Sequence, residues 1–354
     1  MILFDMDMGK WVLFFEPIIK KLQQRNIPYI IISRSGEGYH ELNEILDLKK
    51  LPYISLGEFG GASLEGKLVS SLKRQSLILD IIKEYKVTKV ISGSVVDSTR
   101  VAFGLGIPIY NFYDIPLSDY EANFKRALPQ ARLTIPLATK MFKPFVVPNE
   151  VINRFGLDDE QIVEYNFIDP LIWLKDFQYD EKYVKQSLIG YDIDYSNPTI
   201  VIREEEYKSS YVDKKYPFLY ESLLDIKNKT DANIIIIPRY ESEYLKVEFP
   251  FAVIVEEKIT IQHLIKFADL FIGGGGTLNT EACFLGTPTI STRSFICHYD
   301  KWQIDNDLMV WVKDKEELLE NVVSLIGTQV DVTKLEDMSV NIDGIVDEIL
   351  KEHS

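Results

Sequence analysis

The stretch richest in chemical meaning is Gly273–Ser291, GGGGTLNTEACFLGTPTIS. Four glycines follow the apolar run ADLFI and lead into a helical pattern. Backbone without side chains approaches a ligand closely and can adopt positive φ. The first amides of a helix have no partner within it, and the positive end of the dipole stands behind them. A phosphate group meets both needs. Gly274, Gly275, Gly276 and Thr277 are therefore candidate diphosphate ligands, with Thr277 also a candidate N-cap. Glu281, about one turn further on the same face, is placed to accept both hydroxyls of a ribose. The plainer alternative is a flexible turn with a capping threonine and a solvated glutamate. The run matches neither the P-loop nor the GxGxxG fingerprint, which argues against an ATPase or a dinucleotide enzyme.

Two arginines, Arg203 and Arg239, each close an apolar strand-like run. A guanidinium fork pairs well with a leaving diphosphate. The alternative partners are Glu204–Glu206 or Glu241. Two further loops carry acids: DMDMGKWVLFF, with Asp5 and Asp7, and SGSVVDSTR (92–100), with Asp97. Both Asp7 and Asp97 also suit helix capping. The four histidines are scattered and no Cys/His cluster has zinc spacing, so neither a metal nor a cofactor is expected.

These residues need elements to position them. In the first half ILF (2–4), YIIIS (29–33), PYISL (52–56), KVISG (89–93) and IPIYNF (107–112) read as strands separated by helical patterns. The longest helix puts Leu64, Leu68, Leu72, Ile78, Ile81 and Ile82 at helical spacing. The second half repeats the plan with TIVIR (199–203), NIIIIPR (233–239), FAVIV (251–255), DLFIG (269–273) and PTIS (288–291). Helical segments near 211–228, 260–268, 277–285 and 300–308 separate these strands. Such alternation predicts an α/β protein of two Rossmann-like, doubly wound domains facing a cleft, with ligands beyond the carboxyl ends of the strands. The boundary is expected in the segment 166–183, giving domains 1–168 and 169–354, with the closing helices able to pack back on the first.

Composition narrows the classes. The chain has 354 residues, 46% hydrophobic, enough for two cores. A net charge of −15 argues against a nucleic-acid binder. The longest apolar runs, such as Ile234–Pro238, are strand-sized and far from the roughly 20 residues of a membrane span. The start MILFDMDMGK lacks the pattern of a signal peptide, and two cysteines make no disulfide framework, so a cytoplasmic protein is expected.

The string ADLFIGGGGTLNTEACFLGTPTI resembles the donor-nucleotide motif of the GT-B glycosyltransferase superfamily. It is similar in style to the lipid-II N-acetylglucosaminyltransferase and the UDP-N-acetylglucosamine 2-epimerases. The whole chain is similar to an uncharacterised archaeal family, domain of unknown function 354. The shared features are the acidic first loop with FFEPII, GGASLEGKL (60–68), RVAFGLGIP (100–108) and the glycine run. The resemblance implies a diphosphate at Gly275–Thr277 and a ribose at Glu281. It implies a general base near the first loop, where the relatives' histidine is replaced by Trp11, leaving Asp5 or Asp7 as substitutes. The lipid-II enzyme's Asp-x-x-Gln-x-x-Asn, which reads the sugar, maps to Asp300, Gln303 and Asn306, although this spacing also fits a solvated helix face. His298 reads as a surface residue. The epimerase acids would fall on Ser94 and Tyr113, with Asp97 and Asp114 displaced from register, and the epimerase His-Arg motif on Arg203-Glu204. Asp97 is thus the remaining acid candidate there, with capping the favoured role. The implied function is a metal-independent glycosyltransferase using a nucleotide sugar, a UDP-sugar above others. A nucleotide-sugar 2-epimerase and a non-catalytic nucleotide-sugar binder are the alternatives. The acceptor would be a glycan or a lipid-linked molecule, the latter met by peripheral membrane contact, and the sequence points to no particular oligomeric state.

Overall fold

The computed structural model describes residues 1–36, 39–61, 63–117, 119–121, 127–204, 218–239, 242–257 and 259–351. The chain forms two compact units, Met1–Trp173 with Ser339–Ser354, and Leu174–Met338.

The first unit runs β1 (Ile2–Asp5), α1 (Gly9–Gln24), β2 (Tyr29–Ser33), α2 (His40–Leu48), β3 (Ile54–Ser55), α3 (Leu64–Tyr85), β4 (Lys89–Ser92), α4 (Val96–Gly104) and β5 (Ile109–Phe112). It continues with β6 (Lys140–Pro144), α5 (Asn149–Asn153), β7 (Ile162–Tyr165) and the short α6 (Leu171–Leu174). The seven strands are parallel, in the order β3-β2-β1-β4-β5-β6-β7. The central strands β1, β4 and β5 are buried almost throughout because helices cover both faces. The order reverses between β1 and β4, which is where a doubly wound sheet leaves a crevice at its carboxyl edge.

The second unit runs α7 (Glu181–Ser187), β8 (Thr199–Arg203), α8 (Phe218–Lys229), β9 (Asn233–Ile237), α9 (Glu243–Glu248), β10 (Ala252–Ile254) and α10 (Ile261–Phe267). Then come β11 (Leu270–Gly273), α11 (Gly276–Phe284), β12 (Thr289–Ser291), α12 (His298–Asp305), β13 (Val310–Trp311) and α13 (Lys315–Leu325). Its six strands are also parallel, ordered β10-β9-β8-β11-β12-β13, with the reversal between β8 and β11. Alternate residues of one strand feed two cores. Ile234 and Ile236 join one cluster, and Ile235 joins the other. The last helix, α14 (Ile342–Leu350), belongs to the first unit and packs on α1.

Three expectations about elements change. First, α3 buries Arg74, Ile78, Ile81 and Ile82, but Leu64, Leu68 and Leu72 are exposed, Leu64 by 85%. The helix has 22 residues, about 33 Å at 1.5 Å each, whereas its sheet's strands hold two to five residues, so its first half overhangs them. Second, β6, β7 and β13 were not legible. β6 reads KMFKP, and its Lys143 is fully buried with its ammonium on Glu164 of β7. Third, Glu205, Glu206 and Glu241, and residues 211–217 of one expected helix, lie outside the described residues.

Candidate functional site

Each unit has a polar edge where its strand order reverses. In the first, β1 ends in Asp5, fully buried, and Met8 starts α1 as an N-cap with no side-chain hydrogen bond. Asp7 therefore does not cap that helix. Across the reversal, the loop after β4 passes beneath Trp11. A Cβ on Gly93 would lie 1.7 Å from the Trp11 Cε2 atom, so only glycine lets the indole sit there. Ser94 follows at φ 62°, a strained left-handed conformation for serine, with its hydroxyl donating to the Phe112 carbonyl at 2.9 Å. Tyr113 is buried. Neither residue replaces an acid.

The acids at this edge have unequal company. Arg74, reaching from α3, grips Asp5 with both terminal nitrogens, at 2.9 and 2.5 Å. Its Nε donates to the Leu56 carbonyl at 3.0 Å, and it also lies 3.4 Å from Asp97. A buried guanidinium tolerates burial when so fully bonded. Burial opposes its charge, but Asp5 and Asp97 outweigh this and raise its pKa further. Asp97 is buried in the first turn of α4, whose N-cap is Val95, so the expected capping role is not the one it has. Its carboxylate instead takes Arg34, Arg74 and the Ser71 hydroxyl. Lys10 pairs with Asp114 at 3.1 Å and lies 3.8 Å from Asp169. Burial lowers its affinity for a proton, yet the two aspartates raise it on balance.

Asp7 stands apart. Its Oδ1 is buried and has no hydrogen-bond partner. Burial pushes its pKa up from 3.8 to about 7; Arg34 and Arg74 pull it down, and Asp5 and Asp114 add to the rise. Buried atoms without partners gather here: Trp11 Nε1, Arg34 Nε and Asn43 Oδ1 join Asp7 Oδ1. Such atoms are rare in folded proteins and mark places where a ligand or water completes the bonding.

In the second unit, Gly274 N donates to the Arg203 carbonyl at 2.9 Å and carries the chain from β11 across the reversal. None of Gly273, Gly274, Gly275 and Gly276 has positive φ, so the run serves close approach rather than unusual torsion. A Cβ on Gly273 would fall 2.0 Å from Asn279 Oδ1, and one on Gly276 would fall 3.0 Å from Arg293 Nη1. Gly275 faces open space. Gly275, not Thr277, is the N-cap of α11, with φ −118° and no side-chain bond. Thr277, one residue inside the helix, is exposed. The correction follows from the helix starting at Gly276, which leaves the first-turn amides without helical partners. Glu281 is buried and accepts from Gln262 Nε2 at 3.0 Å, an amide from α10 that nothing in the sequence singled out.

Arg293 was also missed. It lies in the loop after β12, is buried, and sets its guanidinium against Gly276. Its Nη1 donates to Asp300 Oδ2 at 2.5 Å, and its plane covers Phe295 at 4.5 Å. Asp300 Oδ2 also accepts from Cys297 N at 2.8 Å, which caps α12, while Asp300 Oδ1 has no partner. The other two members of the expected sugar-reading set lie elsewhere. Gln303 is fully buried, donating to the Thr280 hydroxyl at 2.8 Å and accepting from Cys283 at 3.4 Å. Asn306 closes α12, donating to the Trp302 carbonyl at 2.8 Å. His298, expected at the surface, is buried because α12 begins there with its first turn packed inward. Arg203 donates to the Ile237 carbonyl at 3.3 Å and to the Pro238 carbonyl. Arg239 is half-buried two residues beyond β9, and Glu204 accepts from the Tyr220 hydroxyl. Among the described residues no group of His, Cys, Asp and Glu could hold a metal ion, and no helix is long and apolar enough to cross a membrane.

The fold has solved counterparts. The UDP-GlcNAc 2-epimerase of Methanocaldococcus jannaschii, in complex with UDP-GlcNAc and UDP, superposes with a TM-score of 0.73 at 17% identity, covering 98% of this chain and 99% of that one. The UDP-GlcNAc 2-epimerase of Neisseria meningitidis, bound to UDP-GlcNAc, gives 0.73 at 14% identity, covering 99% and 100%. The glycotransferase of kitacinnamycin gives 0.61 at 10% identity, covering 98% and 94%. These likenesses establish a GT-B fold. In sequence, an uncharacterized protein of Methanocaldococcus jannaschii is 28% identical over 339 residues, 94% of each chain. Residues 1–352 match a single family throughout, and the chain belongs to it: the protein of unknown function family DUF354.

Proposed function

We propose that the protein is a GT-B-type glycosyltransferase that takes its sugar from a nucleotide sugar, a UDP-sugar above others, and passes it to an acceptor hydroxyl. The observation that carries the reading is Asp7, a carboxylate without a partner whose pKa lies at about 7. A general base works best when its pKa lies near the operating pH. Asp7 would take the proton of the acceptor hydroxyl. That oxygen would bond to the anomeric carbon as the bond to the diphosphate breaks, and the diphosphate would leave with the electron pair. The free amides at the start of α11 and the Arg293 guanidinium against Gly276 suit the charge that develops on it. In this reading they do the work a metal does elsewhere, so turnover is expected to survive chelation. Glu281, oriented by Gln262, would hold the ribose.

Against a 2-epimerase reading stand Ser94, its hydroxyl held by Phe112, and Tyr113, buried, at the positions where catalytic acids would be needed. The test is incubation with UDP-GlcNAc, with and without glycan and lipid-linked acceptors, following free UDP and free sugar. Slow UDP release alone and faster release with an acceptor support the reading. Rapid formation of UDP with N-acetylmannosamine from the donor alone overturns it in favour of a hydrolysing epimerase. If UDP, UDP-sugars, GDP-sugars and dTDP-sugars all leave the melting temperature unchanged, there is no donor site. Stabilisation by UDP with no turnover on any acceptor leaves a binding protein.

A further inference from the structure

Among the described residues, the carboxylates around the first unit's reversal are matched to cations with one exception. Asp5 has Arg74, Asp97 has Arg34 and Arg74, and Asp114 and Asp169 share Lys10. Asp7 has none. Yet two guanidiniums are close enough for their fields to reach it, Arg34 first and Arg74 second. Either, if unengaged, would turn to an ionised Asp7 and hold it as a spent ion pair. What keeps Arg34 occupied is Asp97, itself held on its other oxygen by the Ser71 hydroxyl. Arg34 is further steadied over the Tyr39 ring, 5.6 Å from its centre.

We propose that Asp97 is a positioning residue: by keeping Arg34 engaged, it leaves Asp7, alone among the described acids at this edge, without a cation and free to exchange a proton. Asp97 is then neither a helix cap nor a proton donor. The groups facing Asp7 come from five places: Asp5 on β1, Arg34 after β2, Arg74 on α3, Lys10 on α1 and Asp114 after β5. Only the Arg34 contribution is governed by Asp97 alone, because Arg74 keeps Asp5 whatever happens to Asp97.

The role of Asp7 as base rests on the function proposed above, so the test reads its titration rather than turnover. Protein labelled with carboxyl-13C aspartate is titrated by NMR, and the Asp7 signal is identified by its loss in Asp7→Asn. Asp97→Asn should move the Asp7 midpoint down by about one pH unit, since a released guanidinium nearby favours the carboxylate. Arg34→Gln should move it up. The double variant should stay at the Arg34→Gln value, because Asp97 acts on Asp7 only through Arg34. A double variant whose midpoint falls from the Arg34→Gln value back toward wild type overturns the proposal even if Asp97→Asn alone does not fold, because Asp97 then acts on Asp7 by its own charge. So do single variants that shift together or not at all. Unchanged turnover in Asp7→Asn would instead overturn the glycosyltransferase mechanism and leave the titration result standing.

Discussion

Replacing Asp7 with asparagine should make the protein more stable at pH 8 and no more stable near pH 4. An unfolded aspartate loses its proton near 3.8, whereas Asp7 in the fold holds its proton to about 7. Between those values the native state binds the extra proton. Stability therefore falls as pH rises through that window, and the penalty is complete above about 7. A rise from 3.8 to about 7 is roughly three pH units; at about 1.4 kcal/mol per unit this sets a ceiling near 4 kcal/mol. The side chain is only partly enclosed, so water discounts the ceiling to about 2 kcal/mol. Asparagine keeps the shape without the charge and should recover that amount. The assay is urea unfolding of both proteins at intervals from pH 4 to pH 8.5, with hydrogen exchange of the β1 amides to report the first unit, since two units need not unfold together. Equal stability at pH 8, or a gap that does not close toward pH 4, would refute the argument. The same substitution should abolish pH-dependent turnover, so stability and activity would move in opposite directions.

Gly93→Ala should cost about 3 kcal/mol or more, because the added carbon would lie 1.7 Å from the Trp11 ring and neither can yield cheaply; thermal unfolding measures it. Arg293→Lys keeps a charge beside Gly276 but loses the fork, so UDP affinity should fall about tenfold while uridine affinity stays unchanged; calorimetric titration separates the two. Glu281→Ala should weaken binding of UDP more than of 2′,3′-dideoxy-UDP, measured by the same titration, because its carboxylate is assigned to the ribose hydroxyls. On α3, Ile78→Ala should cost about 2–4 kcal/mol and Leu68→Ser within about 0.5 kcal/mol, a contrast that follows from burial of the first and exposure of the second.

What was legible was local. The glycine run and Glu281 lie on one strand-turn-helix unit, so spacing alone assembled them. Long apolar strands such as Tyr29–Ser33 and Thr199–Arg203 announced themselves because both faces are covered. What was not legible came from distant partners. Asp5 and Asp7 look alike in sequence, and only Arg74, 69 residues from Asp5, separates a neutralised carboxylate from a free one. Arg293 reaches Gly276 from another loop, and a lone arginine after a strand carries no sign of its target. β6 was hidden because two lysines and a proline broke its apolar pattern, and one of those lysines is buried through an ion pair with Glu164. Leu64, Leu68 and Leu72 kept helical period although nothing in the first unit's sheet extends far enough to meet them.

The return of α14 to α1 sets an order on how the protein can be made. Ile342, Ile345, Val346 and Ile349 are buried, Arg25 reaches Asp343 and Asp347, and Lys89 donates to the Ile349 carbonyl at 2.6 Å. On the ribosome the first unit must therefore wait, one flank of α1 bare, while the whole second unit is translated. At ordinary elongation rates that wait is roughly 10–30 s. A nascent chain with an uncovered apolar flank for that long is a natural client for a chaperone, and a stalled or shortened transcript would spoil the half of the protein that was made first.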